Sequence, residues 1–179
     1  ELKAKTIDIY NPMVITVAID FYDKNPEYKE IKGTFRDLDG VRADIDKAIK
    51  FFGDNDDEDF ESLKYEIYPK IYFKQTIDNY KAWWPQHELM EFLLERADEL
   101  EKNLEKYEIS DNNRYDGLLV IISCHGIEGY IATSDYKKIS KTAIHRIFSK
   151  KALSRKIPRL FLFDCCSGSD EREYERRES

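Results

Sequence analysis

Residues 115–126, YDGLLVIISCHG, and residues 160–168, LFLFDCCSG, are the two stretches that decide the fold. Each contains an unbroken apolar run with the length and composition of a buried β-strand. His125 follows the first run and Cys166 follows the second, each with a glycine close behind. Because sites in open α/β sheets lie just past the carboxyl ends of the strands, these two segments are predicted to carry the chemistry.

Apolar strands and amphipathic helices alternate along the rest of the chain. Further strands are predicted over residues 13–21 and 65–74, with a short hairpin over residues 129–133. Helices are predicted over residues 40–52, over residues 85–107 and, behind an N-cap at Ser140, over residues 142–151. This alternation predicts an α/β fold in which helices cover both faces of a mostly parallel central sheet.

Composition limits the classes of function open to the chain. Its 179 residues suit one domain, and 36 acidic against 29 basic residues give a net charge of −7. This balance argues against nucleic acid or an anionic membrane surface as the main partner, since both attract a basic face. Three cysteines, two of them adjacent, argue against a disulfide framework or a zinc site and favour a reducing, cytoplasmic compartment. No apolar run approaches the roughly 18 residues of a membrane span.

A histidine and a cysteine at neighbouring strand ends can act as a base and a nucleophile. A free cysteine has a pKa of about 8.5, so it needs a base or a positive charge to become a thiolate. His125 is predicted to supply that base to Cys166, which follows it by 41 residues. The N–H groups of Gly126 and Cys166 are expected to face the developing oxyanion. No third orienting residue is evident from the sequence.

These motifs resemble those of the caspase-like cysteine proteases, the group of caspases, metacaspases and paracaspases. Residues 115–126 resemble the strand that ends in a His-Gly pair, and residues 160–168 resemble the strand that ends at the nucleophile. Caspases have Gln-Ala-Cys-Arg-Gly there, whereas an Asp two residues before the Cys, here Asp164, is the metacaspase and paracaspase pattern. Metacaspases usually follow the Cys with His-Ser-Gly, and this chain lacks one of those residues. Residues 13–52 also resemble the first strand, loop and helix of that fold.

The resemblance implies a cysteine endopeptidase that works through a thioester. Cys166 would be the nucleophile and His125 the general base. Asp164, Asp44 and Ser123 would line the S1 pocket, where paired carboxylates favour an Arg or Lys side chain. The protein would cleave peptide bonds after these basic residues.

Three alternatives remain open. Arg36 lies where the aspartate-binding arginine of a caspase would fall, which would make the protein an Asp-specific caspase, although Asp164 would repel an aspartate. The second alternative is a non-catalytic caspase-like module for assembly or regulation. The third is an unrelated α/β binding domain, which predicts that Cys166 and His125 lie far apart. Cys165 is the fallback nucleophile, but it and Cys124 are expected to pack as small apolar side chains.

The resemblance also divides the chain. Residues 1–168 would form the large-subunit catalytic domain, and the polar residues 169–179 would belong to an inter-subunit linker. A small-subunit chain of the same precursor would complete the sheet after autoprocessing of a zymogen, and the resemblance allows a dimer. Arg176 and Arg177 in the linker would suit self-cleavage by a protease with basic specificity. A role in programmed cell death follows from the resemblance alone.

No cofactor is expected, but calcium is a candidate activator because some metacaspases need it. The acidic segments that could bind a hard cation are residues 54–59 (DNDDED) and the stretch that includes Asp170, Glu171 and Glu173. Neither segment has the EF-hand pattern. The remaining histidines, His87 and His145, are expected to lie at the surface.

Overall fold

The part of the chain that the structure describes forms a parallel sheet, a small antiparallel sheet and two helices. A computed structural model describes residues 9–20, 22–23, 31, 35, 38, 40–41, 43, 71–72, 83–149 and 157–165. The strands are β1 Pro12–Ala18, β2 Ile71–Tyr72, β3 Gly117–Ser123, β4 Gly126–Ile127, β5 Tyr130–Ala132, β6 Lys138–Ser140 and β7 Arg159–Asp164. The helices are α1 Gln86–Lys106 and α2 Lys141–Ile147.

The parallel sheet has the strand order β2-β1-β3-β7. Its three longer strands are in continuous register, with Val14 opposite Leu119 and Ser123 opposite Asp164. From Met13 onwards β1 is fully buried, as expected for a parallel strand that is covered on both faces. The predicted α/β class and the parallel sheet are therefore confirmed. Because the strands are parallel, their carboxyl ends lie at one edge of the sheet.

Strand β7 was predicted to be buried, but only one of its faces is covered. Leu160 and Leu162 are 55% and 46% exposed, whereas Phe161 and Phe163 pack against the core. This alternation is typical of a strand with one covered face. Within the described residues β7 pairs only with β3, so it forms an edge of the sheet there.

Helix α1 matches the predicted periodicity. Its buried residues are Leu89, Leu93, Ala97 and Leu100, which recur every three or four positions on one face. Its first N–H group, that of Gln86, donates to Asp135 Oδ1 at 3.1 Å, so a distant loop caps the helix. Neither described helix is long and apolar enough to cross a membrane.

Helix α2 begins where Ser140 predicted it. The Ser140 hydroxyl oxygen accepts a hydrogen bond from the Ala143 N–H at 2.9 Å, which confirms the N-cap. The helix ends at Ile147, whereas the sequence predicted a helix that reaches residue 151. Of the other predicted helix, residues 40–52, the structure describes Val41 and Ala43 as helical.

The antiparallel sheet has the order β4-β5-β6 and follows directly after β3. Its first turn is Glu128–Gly129, and Gly129 has a φ of 74°, a conformation that favours glycine. The predicted hairpin over residues 129–133 therefore begins earlier, at Gly126. Strand β6 leads into α2, whose Lys141 and His145 lie against the Phe163 and Phe161 rings of β7.

Candidate active site

The ends of β3 and β7 bring several of the predicted site residues together. The last facing pair of the ladder is Ser123 and Asp164, and the Cys124 N–H donates to the Asp164 carbonyl at 3.1 Å. His125 and Gly126 follow within three residues of Ser123. The remaining predicted site residues lie outside the described part of the chain, namely Cys166, Asp44, Arg36, the acidic segment 54–59 and the tail 169–179.

Two of the predicted S1 residues are in contact. The Ser123 hydroxyl donates to Asp164 Oδ2 at 3.4 Å. Ser123 is buried, whereas Asp164 is exposed. A surface carboxylate oriented by a buried hydroxyl can bind a guanidinium or ammonium group.

Aromatic residues enclose His125, which is only 8% exposed. Its ring stacks on Phe35, with 4.4 Å between the ring centroids and 15° between the planes, and the Tyr22 ring lies 5.0 Å away. The backbone N–H of His125 donates to the Tyr22 hydroxyl at 2.9 Å, and that hydroxyl donates to the Ile19 carbonyl at 3.3 Å. Backbone and ring are therefore held independently.

Tyr22 is suited to this supporting role because its phenol stays neutral. Burial is the main cause that raises the pKa of Tyr22 far above its usual range, and the nearby Cys124 adds to it. A neutral phenol both accepts the His125 N–H and donates to the Ile19 carbonyl.

Neither Tyr22 nor Phe35 was predicted from the sequence to belong to the site. Tyr22 directly follows the predicted strand 13–21, and that position is the one signal that pointed to it. Phe35 lies in a polar segment and carries no such signal. Its N–H donates to the Tyr136 hydroxyl at 2.8 Å, which ties Phe35 to the loop before β6.

The Gly126 N–H is not used by the β4–β5 ladder. The Ala132 N–H donates to the His125 carbonyl at 2.9 Å, and Gly126 faces Ile131 in the β4–β5 pair. Facing pairs in an antiparallel ladder alternate between hydrogen-bonded and non-hydrogen-bonded, so Gly126 and Ile131 form a non-hydrogen-bonded pair. The Gly126 N–H therefore points away from β5.

The two described cysteines behave differently from each other. Cys124 is 3% exposed and belongs to the core, as predicted for a small apolar side chain. Cys165 is only partly buried where it packs against the core, and the neighbouring Cys124 and Lys141 of α2 lower the pKa of its thiol. The sequence does not predict the place of Lys141 in this cluster, because nothing local connects it to Cys165.

The two other histidines are exposed, as predicted. His145 also packs its ring 4.1 Å from that of Phe161, centroid to centroid. Within the described residues no group of three or more His, Cys, Asp or Glu side chains is placed to hold a metal ion.

A scan against protein-family models gives no match for the chain, and a search of curated proteins gives no relative. What the site can do is therefore inferred from its own residues: a held histidine, an oriented backbone N–H group, a surface carboxylate and thiols, all at one edge of a parallel sheet.

Proposed function

We propose that the chain is the large-subunit part of a caspase-like cysteine endopeptidase, with Cys166 as nucleophile and His125 as general base. One observation carries the proposal: β3 and β7 are neighbouring parallel strands whose facing residues differ by 41 positions, as Ser123 and Asp164 do. His125 and Cys166 differ by the same 41 positions in the sequence. The register of the sheet thus favours the pairing of the two motifs.

The proposed reaction has two steps. His125 takes the proton of the Cys166 thiol, and the thiolate attacks the carbonyl carbon of the scissile peptide. The N–H groups of Gly126 and Cys166 stabilise the oxyanion, and the amine leaves with the proton that His125 returns. Water, deprotonated by His125, then attacks the thioester and releases the carboxylic acid and the free thiol.

Specificity for Arg or Lys at P1 is proposed from the carboxylate at the end of β7. Asp164 is exposed and oriented by Ser123, and Asp44 would be its partner in the S1 pocket. A cationic side chain pairs favourably with such carboxylates, whereas an aspartate is repelled. Specificity for aspartate would instead need Arg36.

The exposed edge of β7 supports the proposal of a second chain. Leu160 and Leu162 present apolar surface beside an edge that is open among the described strands, and such an edge favours pairing with another strand. A small subunit from the same precursor would cover it and complete a caspase-like sandwich. Residues 1–168 would then be the catalytic domain and residues 169–179 part of the linker.

The complete two-chain protein should be incubated with peptide substrates that carry Arg, Lys or Asp at P1, with and without calcium. The matched variants are Cys166→Ala, which removes the proposed nucleophile, and Cys124→Ala, which removes a core thiol. We expect cleavage after Arg or Lys that Cys166→Ala abolishes and Cys124→Ala retains. Asp164→Asn should weaken the preference for basic P1 residues.

Two results would replace the proposal with an alternative. Cleavage after Asp would assign the pocket to Arg36 and make the protein a caspase proper. If no peptide is cleaved in the presence of calcium, and an active-site thiol label does not react with Cys166, the chain would be a non-catalytic module.

A further inference from the structure

The thiols of Cys124 and Cys165 and the amine of Lys141 lie close together where β3 and β7 end. None of the three has a role in the proposed peptidase mechanism. Cys124 and Cys165 each follow a member of the last facing pair, Ser123 and Asp164, and the Cys124 N–H donates to the Asp164 carbonyl at 3.1 Å, which continues the ladder and sets Cys124 opposite Cys165. Neighbouring strands lie about 4.8 Å apart, within the range of roughly 4.4–6.8 Å between the Cα atoms of a disulfide. The strand ends are thus close enough for the two sulfur atoms to be joined.

Lys141 is fixed beside this pair. Its backbone N–H donates to the Gly129 carbonyl at 2.9 Å, and its Nζ lies 5.4 Å from the centroid of the Phe163 ring. Phe163 is two residues before Cys165, and so on the same face of β7. From this position the positive charge of Lys141 favours the ionised form of the Cys165 thiol.

The charges around the pair divide the roles of the two sulfurs. Hydrogen bonds from Cys124 and from Lys141 lower the pKa of Cys165 to about 6, although burial and Asp164 oppose this shift. The hydrogen bond to Cys165, together with burial, raises the pKa of Cys124. These shifts favour ionisation of Cys165 before Cys124, and Cys165 is also the more exposed of the two sulfurs.

We propose that Cys124 and Cys165 form a peroxide-reactive thiol pair, in which Cys165 attacks the hydroperoxide and Cys124 resolves the product to a disulfide. The Cys165 thiolate attacks one peroxide oxygen, the O–O bond breaks, and the leaving oxygen takes up a proton as water or an alcohol. Cys165 is now a sulfenic acid, oxidised by two electrons. The Cys124 sulfur then attacks the Cys165 sulfur, the S–S bond forms, the S–O bond breaks, and hydroxide leaves as water with the Cys124 proton.

The disulfide would join the two strand ends one residue before each member of the proposed catalytic pair. Cys124 precedes His125, and Cys165 precedes Cys166. Oxidation would therefore hold the two catalytic segments together and change peptidase activity, a consequence that rests on the proposed function. The thiol pair itself does not depend on it.

The test uses the Cys166→Ser chain, since its only remaining cysteines are Cys124 and Cys165. After treatment with hydrogen peroxide at about pH 7, which lies above the pKa of about 6 for the Cys165 thiol and below the pKa of about 8.5 for a free thiol, free thiols are alkylated and the protein is digested without reduction. Mass spectrometry should find the Cys124 and Cys165 peptides linked within one chain, lighter by two hydrogen atoms than their sum. Cys124→Ala should instead leave a sulfenic acid at Cys165 that a dimedone label captures.

The pH profile of Cys165 alkylation is a second readout that needs no disulfide. A thiol of pKa about 6 is half ionised at pH 6, whereas a free thiol of pKa about 8.5 is ionised to about 1 part in 300. The lower nucleophilicity of the more acidic thiolate offsets about tenfold of this gain, so Cys165 should react about tenfold faster than a free thiol at pH 6. Lys141→Met should move the midpoint of the profile upwards.

Three results would overturn the proposal. The first is an alkylation midpoint near that of a free thiol. The second is peroxide treatment that gives only higher oxides of Cys165 and no link to Cys124. The third is a link that forms as fast in urea as in the folded chain, because the fold would then not bring the thiols together. Since Cys166→Ser lacks the proposed nucleophile, none of these results depends on peptidase activity.

Discussion

Replacement of Tyr22 by Phe tests how the structure supports His125. The variant keeps the ring beside the histidine and removes only the hydroxyl, which accepts the His125 N–H at 2.9 Å and donates to the Ile19 carbonyl at 3.3 Å. Both tyrosine and histidine are buried, so water does not readily replace the lost partner. The N–H group is then left without its acceptor.

A buried N–H group that has no acceptor lowers the free energy of unfolding by about 1–3 kcal/mol. In a chain of this size, each kcal/mol lowers Tm by roughly 2–4 °C. We therefore expect Tyr22→Phe to lower the free energy of unfolding by about 1–3 kcal/mol and Tm by about 2–12 °C. Urea denaturation and thermal melting of the purified protein measure both quantities.

The matched control is Tyr130→Phe, because Tyr130 is 42% exposed on β5. That variant should stay within about 0.5 kcal/mol of the parent protein. If Tyr22→Phe were as stable as Tyr130→Phe, the Tyr22 hydroxyl would not be holding the His125 backbone. If the two-chain protein is active, Tyr22→Phe should also lower kcat, because His125 would lose a fixed position.

Four other changes test other parts of the structure. Ser140→Ala should cost about 1 kcal/mol through loss of the α2 N-cap, whereas the exposed Ser110→Ala should cost almost nothing in the same urea titration. Gly129→Ala should cost about 1–2 kcal/mol by the same measurement, since its φ of 74° is left-handed. Burial opposes ionisation of Asp135, but its hydrogen bonds outweigh this effect and lower its pKa below 3.8. The stability that the Asp135 carboxylate gives at higher pH should therefore be lost as the pH falls through the lowered pKa. Asp135→Asn should flatten the dependence of Tm on pH in that range. Leu162→Glu should leave the stability of the free chain within about 0.5 kcal/mol and weaken its binding to the second chain in a pull-down titration.

Signals within a few residues of one another predicted most of the described elements. The apolar run of β3 marked a buried strand, and the periodic leucines of α1 marked that helix to within one residue at each end. Ser140 marked the start of α2, because an N-cap bonds to an N–H only three residues away. The prediction that β7 is buried on both faces was wrong, because an apolar run does not show whether a second layer covers both faces of the strand.

The candidate site could be predicted only in part. His125 was predicted because it follows a strand and parallel strands end at one edge, whereas Asp164 and Ser123 were predicted only through the resemblance to caspase-like proteases. Tyr22 was missed because it is 103 residues from His125 in the chain, and the hydrogen bond between them exists only once β1 and β3 are paired. The cap that Asp135 gives to α1 was missed for the same reason.

By itself, the sequence determined the approximate positions of most strands and helices, the α/β class and the reactive residue types at the strand ends, because these depend on local periodicity and turn chemistry. Only the tertiary structure decided the register of β3 against β7, the aromatic residues around His125 and the contact of Cys124 and Cys165 with Lys141. These contacts join residues far apart in the chain. Their free energy depends on how whole strands and helices pack, and no short stretch of sequence encodes it.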